Sequence, residues 1–238
     1  MTTTNDTHTC KNCGHKGEGK YCSSCGQSFF TERITLKHLI GEIFHFFTHF
    51  EQGFGYTLKQ LVTSPGTIQK KYLEGHRAKL QKPFSMFFLC ATACGLAEYW
   101  INFIVSKYYH AGDLKEIYFF QHYLVFEQVL LCPLYALSSW LLFIRFKYNY
   151  AEWLVITFYV SSFFFLLIIP VNALKFIWPH LETRYIEFPI ITAYNIITTI
   201  NLFKANPRWK VMAIGCCVIA INYTLAITAQ HIIINTHL

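Results

Sequence analysis

The sequence predicts an all-α integral membrane protein, with about five transmembrane helices preceded by amphipathic helices and a small N-terminal zinc ribbon. Three observations predict it. Four cysteines stand as Cys10-x2-Cys13-x8-Cys22-x2-Cys25. Beyond residue 83 the chain runs in long apolar stretches. Charge is scarce and uneven: 14% of residues are charged, against roughly 25% in soluble domains. Eleven of the 20 Lys and Arg precede residue 84, so a polar N-terminal region leads into a membrane region.

Residues 1–9 read as a flexible polar tail. No basic segment followed by an apolar stretch opens the chain, so no signal peptide is expected. Residues 10–30 read as the ribbon. Each CxxC is followed by a glycine (Gly14, Gly26), which lets the chain turn tightly and face backbone N–H groups toward the sulfurs. Two such turns complete a tetrahedral shell of four thiolates, Cys10, Cys13, Cys22 and Cys25. Zinc is the expected ion, in a structural role, and iron is its rival because rubredoxin loops are similar. A thioredoxin-like role needs a CxxC beside a βαβ pattern, which is absent. With four cysteines saturating the site, His15 is expected outside it. Cys90, Cys94, Cys132, Cys216 and Cys217 lie in apolar runs and read as packing residues.

Residues 31–83 read as amphipathic, interfacial helices and a basic collar. Leu36, Ile40, Ile43, Phe47, Phe50, Phe54, Leu58 and Leu61 recur in steps of three or four, a helical stripe. Gly53 and Gly55 split it into two helices, which lie on the membrane surface or against the bundle. Ser64-Pro65-Gly66 stops the pattern, a short helix follows over 67–74, and Gly75 caps it. The collar is Gly75-His76-Arg77-Ala78-Lys79-Leu80-Gln81-Lys82-Pro83, with Arg77, Lys79 and Lys82 as its charges.

The transmembrane bundle occupies 84–238, with spans at about 84–105, 118–144, 151–178, 185–203 and 211–234, each near the ~20 residues that cross a bilayer. Aromatics such as Trp100, Tyr148, Trp178 and Trp209 gather at their ends as an interfacial belt. The fourth span is the weakest, carrying Glu187, Pro189, Asn195 and Asn201. With five crossings, 16 Lys and Arg fall on the side of the N-terminus and 4 on the other. The positive-inside rule then places the N-terminus in the cytoplasm and the C-terminus in the periplasm. A reducing compartment also keeps four thiolates available for metal. If the fourth span fails to cross, the C-terminus moves inside.

Ionisable groups within apolar runs are costly and mark candidate function. Glu127, Glu98 and His122 are the candidates, with Lys175, His231, Asn172, Asn195, Asn201, Asn222 and Gln230 adding polarity. Interhelical hydrogen bonding or snorkelling is the competing account of all of them. His38, His45 and His49 fall on the interfacial helix; His45 and His49 have metal-sharing spacing but no intervening Glu, and read as polar-face residues. Pro133 and Pro170 are expected to kink their helices. No phosphate-binding glycine loop, nucleophile elbow or paired metal-binding carboxylates occur, so no enzyme activity is expected.

The order of double CxxCG, amphipathic helix, Pro65-Gly66, and Gly75-His76-Arg77 with Pro83 opening a span resembles the domain of unknown function 3667 family. These are bacterial multi-pass membrane proteins common in the Bacteroidetes. The likeness covers roughly residues 10–90; Leu80 stands where that family often has an aromatic residue. It implies membrane location and zinc, and no activity.

The leading expectation is a non-enzymatic component of the bacterial inner membrane. Its cytoplasmic ribbon would dock a protein partner, and its helices would anchor a complex in the lipid bilayer. The alternative is a small-solute or lipid transporter or channel using the buried acids of spans one and two. An intramembrane enzyme acting on lipid is disfavoured, because no catalytic set converges. The basic charge is explained by membrane topology, so nucleic acid is not an expected partner.

Overall fold

A computed structural model describes residues 7–45, 53–109, 115, 118, 119 and 122–237, and for residues 41–45, 109 and 237 the backbone only. His49, the His45 side chain, Phe47, Phe50 and most of the 1–9 tail lie outside the described residues.

The ribbon has almost no regular structure because its chain is turned twice within 20 residues. β1 (His8–Thr9) pairs antiparallel with β2 (Lys16–Gly17), and Tyr21 bridges Ser28 in the same sense. The two cysteine turns are near copies. In the first, Gly14 N–H donates to the Cys10 carbonyl at 2.9 Å and Cys10 N–H to that of His15 at 2.9 Å. In the second, Gly26 donates to Cys22 and Cys22 to Gln27, each at 2.8 Å. Gly14 and Gly26 take φ of 75° and 74°, the left-handed region that costs glycine nothing.

Three short helices follow: α1 (Leu36–His45), α2 (Phe54–Thr63) and α3 (Thr67–Leu73). α2 begins directly after Gly53, one of the two glycines expected to interrupt the stripe, while Gly55 lies within the helix. Leu39, Leu61, Ile68 and Tyr72 are buried and join the core of the long helices, so one face of these helices is packed on the bundle. Leu36, Ile40, Tyr56 and Val62 remain exposed.

Five long helices complete the chain: α4 (Pro83–Tyr109), α5 (Leu124–Leu142), α6 (Tyr150–Ala173, extended by a 3-10 turn over Leu174–Phe176), α7 (Arg184–Leu202) and α8 (Arg208–His237). Four stretches are long and apolar enough to cross a membrane: Pro83–Tyr108, Leu124–Leu142, Tyr150–Phe176 and Arg208–Thr236. α7, the predicted weakest span, is not among them, since its polar residues dilute its apolar content. It nevertheless lies antiparallel along the full height of α6. Asn172 donates to Glu187 at 3.1 Å at one end, Phe163 stacks on Tyr194 at 3.8 Å midway, and Trp153 meets Phe203 at 6.1 Å at the other.

Successive long helices alternate in direction. α6 is the most enclosed of the candidate spans and α8 the least, which fits a central helix flanked by α4, α5 and α7. Phe87 packs against Phe158 and Phe165 at 5.0 and 5.6 Å between α4 and α6. Within lipid such contacts act through dispersion and close fit rather than removal from water.

Candidate metal centre and its seat on the bundle

Cys10, Cys13, Cys22 and Cys25 converge, with all four Sγ atoms within 4.8 Å of one another. The Cys10–Cys25 and Cys13–Cys22 sulfur pairs are each 3.6 Å apart. Four thiolates around one tetrahedral ion at ~2.3 Å would stand ~3.8 Å apart, so the donor set fits a metal without rearrangement. The cysteines are not disulfide-bonded. The turn itself prepares one thiolate: the Cys13 N–H faces the Cys10 sulfur and, against the opposing effect of burial, brings that thiol down to about 7. At Cys13 the His15 N–H also favours the thiolate, but burial and the neighbouring sulfurs outweigh it and push the thiol up to about 11. A cation among the sulfurs would remove that competition. His15 bonds Ser23 at 3.2 Å and is exposed.

The ribbon is seated on the rest of the chain by side chains that the motif does not include. Gln27, immediately after the second cysteine turn, is buried. Its Nε2 donates to the Gly75 carbonyl at 2.7 Å. Its Oε1 accepts from the N–H groups of Arg77 and Ala78 at 2.9 and 3.0 Å. The 75–78 turn thus has its backbone groups satisfied by one ribbon side chain. Arg77 holds the same junction from the other side. Its guanidinium donates to the carbonyls of Tyr72 and Glu32, both at 3.2 Å, and lies over the Tyr72 ring at 5.1 Å. The predicted collar is therefore a structural joint at Arg77, while Lys79 is exposed and Lys82 half-buried.

A second tie reaches the long helices. Arg33 donates from Nε and Nη2 to the two carboxylate oxygens of Glu152, each at 2.8 Å, and from Nη2 to the Lys147 carbonyl at 2.9 Å. Glu152 holds its guanidinium firmly charged, raising the Arg33 pKa. Glu152 also closes the N-terminal box of α6: its carboxylate accepts from Asn149 N–H, and Asn149 Oδ1 accepts from Glu152 N–H, each at 2.8 Å. Asn149 Nδ2 donates to the Ile34 carbonyl at 3.2 Å. One carboxylate thus starts a membrane helix and fixes the segment that leaves the ribbon.

α2, α3 and the start of α4 are wedged between ribbon and bundle. A Cβ on Gly66, whose φ is 78°, would strike the Thr198 carbonyl oxygen and stand 2.6 Å from Asn201 Cβ. Asn201 in turn donates to the Pro65 carbonyl at 2.8 Å. A Cβ on Gly53 would stand 2.8 Å from the Gln81 backbone nitrogen. Gln81 N–H donates to Thr57 Oγ1 at 2.8 Å, and Tyr159 donates to the Gln81 carbonyl at 2.7 Å. Gly66 is thus set by close approach to α7, and Gly53 by close approach to the 79–81 segment that leads into α4. Residues 51–94 match the family model of DUF3667, described as a protein of unknown function. The resemblance read from the sequence is supported over this segment. The matched segment includes the joint, from Gly53 through the Gly75–Arg77 turn into α4. No curated protein and no solved structure matches the chain.

The intramembrane candidates are placed apart. Glu98 is buried on α4; one carboxylate oxygen accepts from Asn102 at 3.0 Å and the other has no partner among the described residues. Lys175 interacts electrostatically with Glu98 and with Glu187, so a polar cluster closes the end of the bundle away from the ribbon. Glu127 is buried on α5 facing α8, near the Gln230 backbone, and one of its carboxylate oxygens is also unpartnered. His122 is exposed, donates from Nδ1 to the Tyr118 carbonyl at 3.1 Å, and stacks on the Tyr118 ring at 4.2 Å. It is not among the partners of Glu127.

Proposed function

We propose that this is a non-enzymatic inner-membrane scaffold whose zinc-folded ribbon is held as a rigid cytoplasmic cap and docks a protein partner. The observation that carries the reading is the seat: Gln27, Arg77 and the Arg33–Glu152 pair fix the ribbon on the bundle. A ribbon that served only to cover the helix ends would not need an outward apolar face, yet Tyr21 and Phe30 are 59% and 60% exposed. Zinc suits a closed four-thiolate shell, which leaves no position for substrate. The charge bias supports a cytoplasmic N-terminus and a periplasmic C-terminus. The test is affinity capture of the full chain in mild detergent, followed by mass spectrometry. Cys10→Ser and the double change Tyr21→Ala, Phe30→Ala should each lose a stoichiometric partner while the chain still inserts. Retention of the partner by both variants would overturn the reading.

Transport is the second reading, favoured by Glu98 and Glu127, each with a buried carboxylate oxygen that has no partner among the described residues. It expects Glu127→Gln to abolish solute flux without loss of folded protein.

A further inference from the structure

α5, α6, α7 and α8 close into a ring, each packed on the next and α8 on α5. All four helices line a half-open cavity of about 180 Å³. Its walls run along α6 from Trp153 to Phe164, about 16 Å at 1.5 Å per residue, so the space is long and narrow. None of the lining residues is charged. Most of the wall is aliphatic or aromatic, and the polar groups in it are neutral amides and hydroxyls.

Those groups are arranged in a particular way. Ser139, Thr157 and Thr199 donate their hydroxyl protons back to carbonyls of their own helices, which leaves oxygen lone pairs as acceptors. Asn195 donates to the Ile191 carbonyl, leaving its amide oxygen. The Trp153 indole N–H, buried with its ring at 3% exposure, has no acceptor among the described residues. A buried donor without a partner is unfavourable, so its place in the wall of a cavity is informative. A charged head group would meet no counter-charge there, whereas a hydroxyl or carbonyl would meet both donor and acceptors.

We infer that this cavity binds a neutral single-chain lipid, with a hydroxyl or carbonyl head near Trp153 and its chain along the ring of helices. A cavity of about 150 Å³ already holds a benzene-sized ligand, so a slender chain segment is within its capacity. This inference does not depend on the scaffold reading and does not use Glu98 or Glu127, which are not in the wall.

The test uses the full chain in phospholipid nanodiscs, with the eight-carbon monoacylglycerol monocaprylin as probe and octanoate as its charged counterpart, read by native mass spectrometry after release. One monocaprylin per chain is expected, with octanoate at least tenfold weaker. Gly215 lines the cavity, and a Cβ there would stand 3.3 Å from Thr199 Oγ1. Gly215→Leu should therefore fill the space and lower monocaprylin occupancy tenfold or more. Trp153→Phe, which removes the indole N–H, and Asn195→Leu, which keeps the branched shape without the amide, should lower it several-fold with helicity unchanged, and they stand as the test if Gly215→Leu fails to fold. Equal binding of octanoate, or monocaprylin occupancy unchanged in the folded variants, would overturn the assignment. So would adducts that grow without saturating, which mean binding at high concentration only.

Discussion

At Gln27 one side chain satisfies three backbone groups of another element: the Gly75 carbonyl and the N–H groups of Arg77 and Ala78. Gln27→Ala would leave them to water or unpaired, at about 1–3 kcal/mol for each that stays buried. Residues 75–78 should then exchange amide protons at least tenfold faster while the cysteine site keeps its metal. Unchanged exchange would mean that Arg77 alone holds the turn. The cysteines themselves give a pH prediction. Cys10 titrates at about 7 and Cys13 at about 11 without metal, and binding requires thiolates. As pH falls from 8 to 6 the proton competes more strongly, first at Cys13 and then also at Cys10. Apparent metal affinity should fall by about tenfold per pH unit for each thiol being protonated, measured by release to a chromogenic chelator. Arg33→Ala should cost stability too, because it strips a buried carboxylate of its charge partner. The loss is limited by the exposure of Arg33, whose side chain is 60% accessible.

Among the elements, the joint makes the sharpest demand. Gly66 combines a φ of 78° with direct approach of the α3 start to the end of α7. Gly66→Ala should destabilise the chain by roughly 2 kcal/mol or more, from the left-handed backbone and the displaced contact together. A thermal unfolding scan in detergent checks this, and a neutral result would mean that α7 shifts freely away from α3. The Pro65-Gly66 stop was legible in the sequence, as were the glycine-closed cysteine turns and the apolar runs, because each follows from local backbone chemistry or composition. The Asn149–Glu152 capping box was legible in principle as a polar residue three before a Glu opening an apolar run. The Gln27 clamp was not legible: its partners lie about 50 residues on, and no spacing rule marks them. The cavity was equally hidden. Asn195 and Asn222 read as scattered polarity until four helices bring them to one wall. The separation of His122 from Glu127 has a similar origin, since five residues along a helix do not place two side chains on one face.

For the whole molecule, the open question of the sequence is whether α7 crosses, and the packing gives it a physical form. α7 lacks the apolar content of its neighbours, so its insertion depends on them: Asn172, Thr183 and Glu187 satisfy one another at its start, and Asn201 bonds the Pro65 carbonyl at its end. Polar groups partnered within a bundle cost far less than groups facing lipid. With α7 crossing, the loops holding Arg145, Lys147 and Lys204 share the ribbon's side, and α8 carries the C-terminus to the other. A C-terminal alkaline phosphatase fusion should therefore be active and a C-terminal green fluorescent protein fusion dark. Replacing the pairing at the start of α7, with Asn172→Leu and Glu187→Leu together, makes the helix more apolar and should leave the phosphatase active. Asn172→Leu alone removes a partner from Glu187 and should reduce phosphatase activity, because a portion of chains then leaves α7 uncrossed. Fluorescence from the wild-type fusion would place the C-terminus with the ribbon. The ring around the cavity would then have to open, since α8 reaches Glu127 and Ser138 on α5 only by running antiparallel to it.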